Sequence, residues 1–285
     1  MSFSPPPAVL QLPTFTAMRY LQPLREGGSL PAVVDTDGGL FVVKFRGAGQ
    51  GAKALVAEVI VGGLAAALGL PTPELALIDV PEPFGRSEPD SEIRDLLRAS
   101  HGTNIGLRYL DGAFNFAPSA AGELIDARLA ARIVWLDAFT TNPDRTHRNP
   151  NLMVWRNRPW LIDHGAGLYA HHDWDAVDEA RTRTPFAMIR EHVLLDVAAG
   201  IEAADAELAP RITDALIDDV LHAVPDVLLT TSPAGPEFAT AGDARDRYAR
   251  YLRERARGPR AFVAEAVAAR TLMLAAPPLR RPARR

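Results

Sequence analysis

Residues 141–149 (TNPDRTHRN) concentrate side chains that can do chemistry between two apolar stretches of the chain. Asp144 and Asn149 lie in this segment, and Asn151 and Asp163 follow it. Carboxylate and amide oxygens are hard ligands, which suit Mg²⁺ better than a soft metal. These residue types therefore predict a magnesium site if the fold brings them together.

A β-hairpin is predicted directly after this segment. Residues 151–155 and 160–165 contain apolar runs on either side of a polar turn. A four-residue turn centred on Asn157 and Arg158 would place Leu152 opposite Asp163. The open end of the hairpin would then gather both asparagines and Asp163 near Asp144.

The spacing matches the parts used in phosphoryl transfer. There, one Asp orients the acceptor hydroxyl, while an Asn five residues later and an Asp before x-Gly hold Mg²⁺ on the nucleotide. Asp144, Asn149 and Asp163-His-Gly165 occur in this order. The pattern therefore predicts a phosphotransferase site.

Two charged residues upstream stand in apolar surroundings. Lys44 ends an apolar run predicted to be a strand covered on both sides, so it either lies at an edge or has an anionic partner. Glu58 is the only acid in a helix predicted over 54–68. It either faces water or pairs with Lys44.

A glycine pair precedes the first strand of a hairpin predicted over 31–45 by the Asp37-Gly38 turn. Gly27 and Gly28, followed by Ser29, make either a plain turn or one whose N–H groups approach a ligand closely.

In this order, the segments resemble the HipA-like kinase family, in its branch of single-domain bacterial proteins. The resemblance covers most of residues 15–175. It is carried by GGSLPAVVDTDGGLFVVKF (27–45), GAGQG (47–51), LGLPTPE (68–74), NPDRTHRNPNLMV (142–154) and LIDHGAGL (161–168). It implies a two-lobed fold, distantly like protein kinases, with ATP and Mg²⁺ between the lobes.

The resemblance also implies roles for individual residues. Asp144 would be the catalytic aspartate. Asp163 and Asn149 would be the metal ligands, with Asn151 as the alternative to Asn149. Lys44 would hold the α- and β-phosphates and complete the catalytic set. The residues implied in nucleotide binding are Gly27, Gly28, Ser29, Lys44 and Glu58.

The expected fold class is α+β. Strands dominate the first eighty residues and helices dominate from Gly122 onward, with a helix predicted over 123–140. We expect a flexible arm at 1–14, a strand-rich lobe at 15–105 and a helical lobe at 106–276. A basic, disordered tail is expected at 277–285.

Composition restricts the classes of function. The absence of cysteine excludes disulfides and thiol catalysis and is compatible with a cytoplasmic location. A net charge of −4 disfavours direct binding to nucleic acid or to an anionic membrane. No stretch is long and apolar enough to span a bilayer.

The expected acceptor is a serine or threonine hydroxyl of a protein. The alternatives are a small-molecule kinase and a non-catalytic pseudokinase or regulatory partner. The family resemblance implies a possible antitoxin-type partner. Arg145 and Arg148 could meet phosphate or an acidic group of the substrate, or could be solvated. His171-His172-Asp173 is predicted to be a solvated turn.

Overall fold

The computed structural model describes residues 10–24, 30–49, 51–86, 88–231 and 237–275. Most of the predicted arm (residues 1–9) and the predicted tail at 277–285 lie outside the described residues. So do Gly27, Gly28 and Ser29, the residues expected to cover the phosphates.

The N-terminal part is a closed β-barrel with the strand order β1-β2-β3-β5-β4. Its strands are β1 (Thr14–Pro23), β2 (Ala32–Thr36), β3 (Gly39–Lys44), β4 (Leu75–Val80) and β5 (Gly102–Arg108). Strand β1 pairs in parallel with β4, and the other pairs are antiparallel. The boundary expected between residues 105 and 106 falls inside β5.

The β2–β3 hairpin has the predicted turn at Asp37 and Gly38, with Thr36 opposite Gly39. Phe41 and Val43 alternate into the barrel and are fully buried there. Lys44 is the last residue of β3. The hairpin therefore sets Lys44 at the end of the barrel.

Helices dominate the C-terminal part. The helices of the described chain are α1 (Gly51–Ala67), α2 (Ser91–Ala99), α3 (Ala121–Leu124), α4 (Ala127–Phe139), α5 (Glu179–Thr182), α6 (Ile201–Leu208), α7 (Asp214–His222), α8 (Asp226–Thr230), α9 (Ala241–Arg257) and α10 (Ala261–Ala275). Short 3₁₀ helices lie at Pro118–Ala120, Tyr169–His172, Trp174–Ala176, Ala187–Glu191 and Ala209–Arg211.

Helix α1 is packed on nearly all sides. It contacts β4 and β5 of the barrel and also α7 and α8. Leu55, Val59 and Leu64 belong to the same apolar core as the C-terminal helices. Burial all round explains why the helix is apolar at almost every position, and it leaves Glu58 inside the protein.

The prediction of one helix over 123–140 is wrong. The chain breaks at Ile125, which is extended, and α4 begins after Asp126. The Asp126 carboxylate accepts a hydrogen bond from the Leu129 backbone N–H at 2.8 Å. Aspartate favours this N-cap position because it satisfies a helix N–H that has no partner within the helix.

A second, three-stranded sheet consists of β6 (Phe114–Asn115), β7 (Leu152–Trp155) and β8 (Arg158–Leu161). The predicted β7–β8 register is wrong, because the turn has two residues rather than four. Arg156 and Asn157 both have positive φ, as a type I′ turn requires. Leu152 therefore faces Leu161, not Asp163.

In the described part of the chain, no helix combines the length and the apolar character needed to cross a membrane.

Candidate active site

The Lys44 ammonium joins three distant parts of the chain. Its Nζ lies 2.5 Å from Glu58 Oε2 on α1 and 2.5 Å from Asp163 Oδ1 in the turn after β8. Lys44 is 7% exposed and Glu58 is completely buried. The structure contains the pairing of Lys44 with Glu58 that the sequence allowed. The two alternatives, a lysine at the sheet edge and a glutamate facing water, are wrong.

Glu58 also holds the turn that carries Asp163. Its Oε2 accepts a hydrogen bond from the His164 backbone N–H at 2.9 Å. Among the described residues, none hydrogen-bonds to Glu58 Oε1. One carboxylate oxygen therefore fixes both the lysine and the backbone next to Asp163.

The two carboxylates compete for one ammonium. Burial raises the pKa of Glu58, and the negative charge of Asp163 raises it further. Lys44 lowers that pKa but does not outweigh the two effects. Burial opposes ionisation of Asp163 too, but Lys44 outweighs it and lowers the pKa of Asp163. Burial would lower the pKa of Lys44, yet the two carboxylates raise it. The lysine is therefore charged, and Asp163 ionises more readily than Glu58.

Asp144 is held by both candidate asparagines. Its Oδ2 accepts hydrogen bonds from Asn149 Nδ2 at 2.7 Å and from Asn151 Nδ2 at 3.1 Å. Its backbone N–H donates to Asn142 Oδ1 at 3.1 Å. The side chains of Asn149 and Asn151 thus both contact one carboxylate oxygen of Asp144.

Backbone conformation brings Asp163 to the same end of the hairpin. Asn151 and Asp163 have φ of +48° and +54°, in the left-handed region that Asn and Asp enter more readily than most residues. The Ile162 N–H donates to the Asn151 carbonyl at 3.1 Å. Asp163 therefore follows directly after the last hydrogen bond of the hairpin.

The negative charge of Asp163 affects the ionisation of Asp144. Burial raises the pKa of Asp144, and the negative charge of Asp163 adds to this. Hydrogen bonds from Asn151 and Asn149 act in the opposite direction. A nearby negative charge disfavours ionisation of a carboxyl group, and a bound cation would offset that effect.

The oxygen atoms of this donor set have the chemistry of Mg²⁺ ligands. Asp163 Oδ2 and Asn149 Oδ1 accept no hydrogen bond from the described residues, so hard oxygen atoms are free. No group of three or more His, Asp or Glu side chains in the described chain forms a metal cluster. Mg²⁺ typically takes one or two carboxylates from the protein and its other ligands from phosphates and water.

A family model described as HipA-like kinase matches residues 21–227, which is most of the chain. The chain belongs to the HipA-like kinase family.

A solved structure has a similar fold to this HipA-like kinase. It is the crystal structure of a Helicobacter pylori proinflammatory kinase, CtkA, with a TM-score of 0.53 and 13% sequence identity. The match covers 92% of this chain and 99% of that chain. At this identity the likeness concerns the fold, in which a strand-rich N-terminal part precedes a helical C-terminal part. No curated protein sequence matches the chain.

Family membership supports a kinase-type function. Arg145 of this HipA-like kinase is 1% exposed and pairs with Asp137, which is fully buried on α4. Arg145 is therefore not solvated, which corrects that expectation. Asp137 was not singled out from the sequence. The signal that could have found it is the one that marked Glu58, an acid within an apolar helix.

His171 is also buried, so the prediction of a solvated turn is wrong at that position. Its Nδ1 lies 3.1 Å from the Tyr248 hydroxyl. Burial lowers the pKa of His171 well below its usual value, and the charges of His172 and Lys53 act in the same direction. The imidazole is therefore neutral in the folded kinase.

We expect His171 to make the free energy of unfolding depend on pH. Because its pKa is depressed in the fold, the unfolded chain binds the extra proton below about pH 6.5, and stability falls there by about 1.4 kcal/mol per pH unit. Urea unfolding of His171→Gln between neutral and mildly acidic pH should show a shallower decline than wild type. The same change at exposed His222 is the control, and an equal decline in both variants would refute the role of His171.

Proposed function

We propose that this protein is an ATP- and Mg²⁺-dependent phosphotransferase whose acceptor is a serine or threonine hydroxyl of a protein. The observation that carries the proposal is the Lys44 ammonium, 2.5 Å from both Glu58 and Asp163. A cation held by two carboxylates, beside the Asp144 cluster, supplies the electrostatic parts that phosphoryl transfer requires.

On the nucleotide side, Lys44 pairs with the α- and β-phosphates and Glu58 keeps the ammonium in place. Asp163 and Asn149 are the residues that would hold Mg²⁺. The bound ion would neutralise negative charge on the phosphate oxygens. Gly27, Gly28 and Ser29, which lie outside the described residues, are proposed to cover the phosphates.

On the acceptor side, Asp144 orients the attacking hydroxyl and accepts its proton. The acceptor oxygen forms a bond to the γ-phosphorus as the bond from that phosphorus to the β–γ bridging oxygen breaks, and ADP leaves. Asn149 and Asn151 hold one carboxylate oxygen of Asp144, which leaves the other oxygen for the acceptor. This separates the nucleotide residues from the acceptor residue.

The proposal extends to partners and location in line with the family resemblance. We infer a protein acceptor, an antitoxin-type protein partner and a cytoplasmic location.

Incubation with γ-labelled ATP tests the function. Purified protein is incubated with and without a lysate of the host, each with Mg²⁺ or with EDTA. We expect labelled protein bands that need Mg²⁺ and this chain. Label on small molecules alone would favour a small-molecule kinase, and no transfer in any sample would contradict the proposal.

Replacing Glu58 by glutamine should lower transfer roughly 10- to 100-fold, because the neutral side chain no longer holds the ammonium against Asp163. Initial rates at saturating ATP measure the effect. Glu74→Gln makes the same change in an exposed ion pair with Arg108 and serves as the control. Equal rates in the two variants would show that Glu58 does not anchor Lys44.

A further inference from the structure

Asp137 is the centre of a buried hydrogen-bond network beneath the catalytic segment, defined here as residues 142–151. Its Oδ1 accepts from Asn142 Nδ2 at 3.0 Å. Its Oδ2 accepts from Arg145 Nε at 2.6 Å and from His192 Nε2 at 3.0 Å. All four side chains are at most 3% exposed.

The ionisation of this network is settled by the pairing. Burial opposes ionisation of Asp137, but Arg145 and the His192 hydrogen bond outweigh it and hold its pKa well below the usual range. His192 Nδ1 accepts from the Leu194 N–H at 3.1 Å, so Nε2 carries the proton donated to Asp137. Asp137 and Arg145 are thus an ion pair that a neutral histidine supports.

Arg145 also hydrogen-bonds to the β7–β8 hairpin, next to Asn151 and Asp163. Its Nη1 donates to the Asn151 carbonyl and, at 3.3 Å, to the Ile162 carbonyl. Its Nη2 donates to His164 Nδ1 at 3.4 Å. One guanidinium therefore spans both strands of the hairpin where they open, on either side of Asp163 in the chain.

Asn142 completes the arrangement on the Asp144 side. It is anchored to Asp137 through Nδ2 and accepts the Asp144 N–H through Oδ1. Asp144, Asn151 and Asp163 are thus each attached, directly or through one neighbour, to the same ion pair. We propose that Asp137 and Arg145 are positioning residues that hold these three side chains at fixed separations.

The chemistry of arginine explains why this residue type is needed. Its planar fork offers five donors in fixed directions, and here they meet a carboxylate, two carbonyls and an imidazole. Lysine keeps the charge but cannot reproduce that geometry. Since a displacement of about 1 Å at a reacting centre can cost on the order of 10²-fold in rate, loss of the fork should slow turnover.

The test compares Arg145→Lys with Arg255→Lys. Arg255 is a matched control because it is 4% exposed and also donates to backbone carbonyls, those of Ala138, Phe139 and Thr182. Among the described residues, Arg255 makes no hydrogen bond to the β7–β8 hairpin. The kinetic part rests on the proposed phosphotransfer, so a second measurement is independent of activity.

For Arg145→Lys we expect kcat to fall about 10²-fold with little change in the KM for ATP, whereas Arg255→Lys keeps the wild-type kcat. Hydrogen exchange read by mass spectrometry should show faster exchange in the peptides covering 142–151 and 161–165 of Arg145→Lys only. A merely structural role would lower the midpoint of thermal unfolding in both variants without this local effect.

The outcomes separate the two proposals. If wild type transfers no phosphate, the proposed function fails, and the exchange data still decide whether Arg145 positions the segment. Unchanged exchange and an equal kcat in both variants would overturn the positioning role and leave the function standing. If Arg145→Lys does not fold, Asp137→Asn combined with Arg145→Gln removes both charges and is judged by the same exchange data.

Discussion

Replacing Asp163 by asparagine is expected to abolish Mg²⁺-dependent turnover, with a loss of about 10³-fold or more. The substitution removes the carboxylate that is proposed to hold the ion on the phosphates. It also leaves Lys44 with Glu58 as its single carboxylate partner. The measurement is the rate of phosphate transfer from γ-labelled ATP at increasing Mg²⁺ concentrations. Saturating Mg²⁺ should not restore the wild-type rate.

The control for this variant is Asp175→Asn, an exposed aspartate in a 3₁₀ turn. It should transfer phosphate at the wild-type rate. Thermal unfolding checks that both variants are folded. An Asp163→Asn protein that is as active as Asp175→Asn would show that Asp163 is not a metal ligand, and the proposed nucleotide site would then be wrong.

Replacing Asp144 by alanine should remove transfer while leaving most of the affinity for Mg-ATP. Loss of a positioned base costs on the order of 10²–10⁴ in rate. Nucleotide affinity should change little, because in-line attack places the acceptor beyond the γ-phosphate. Calorimetric binding of Mg-ATP is measured beside transfer in wild type and variant.

Asp144→Asn is the matched variant, because its amide oxygen can still accept a hydrogen bond from Asn149 or Asn151. We expect it to bind Mg-ATP like wild type and to be nearly as inactive as Asp144→Ala. Collapse of binding in both variants would make Asp144 a metal or structural residue. Full transfer in both would place the catalytic aspartate elsewhere.

Local chemistry accounts for what the amino-acid sequence by itself determined. Asp37-Gly38 marks the β2–β3 turn, because an Asp-Gly pair between two apolar runs favours a hairpin. The order and types of Lys44, Glu58, Asp144 and Asp163 indicated the HipA-like kinase family, which the family model confirms. Glu58, an acid in an apolar helix, indicated a pairing with Lys44 as one of two alternatives, and the structure shows that pairing.

Other features were decided only by the tertiary structure. The β7–β8 register follows from a two-residue turn, and the sequence also allowed the four-residue turn expected there. The sequence does not distinguish a solvated Arg145 from a buried one. Arg145 is buried against Asp137, which also binds His192, and the fold brings these residues together. His192 lies 55 residues from Asp137 along the chain. The distances from Lys44 Nζ to Glu58 and Asp163 likewise depend on how the barrel, α1 and the hairpin pack together, and sequence spacing carries no information about that.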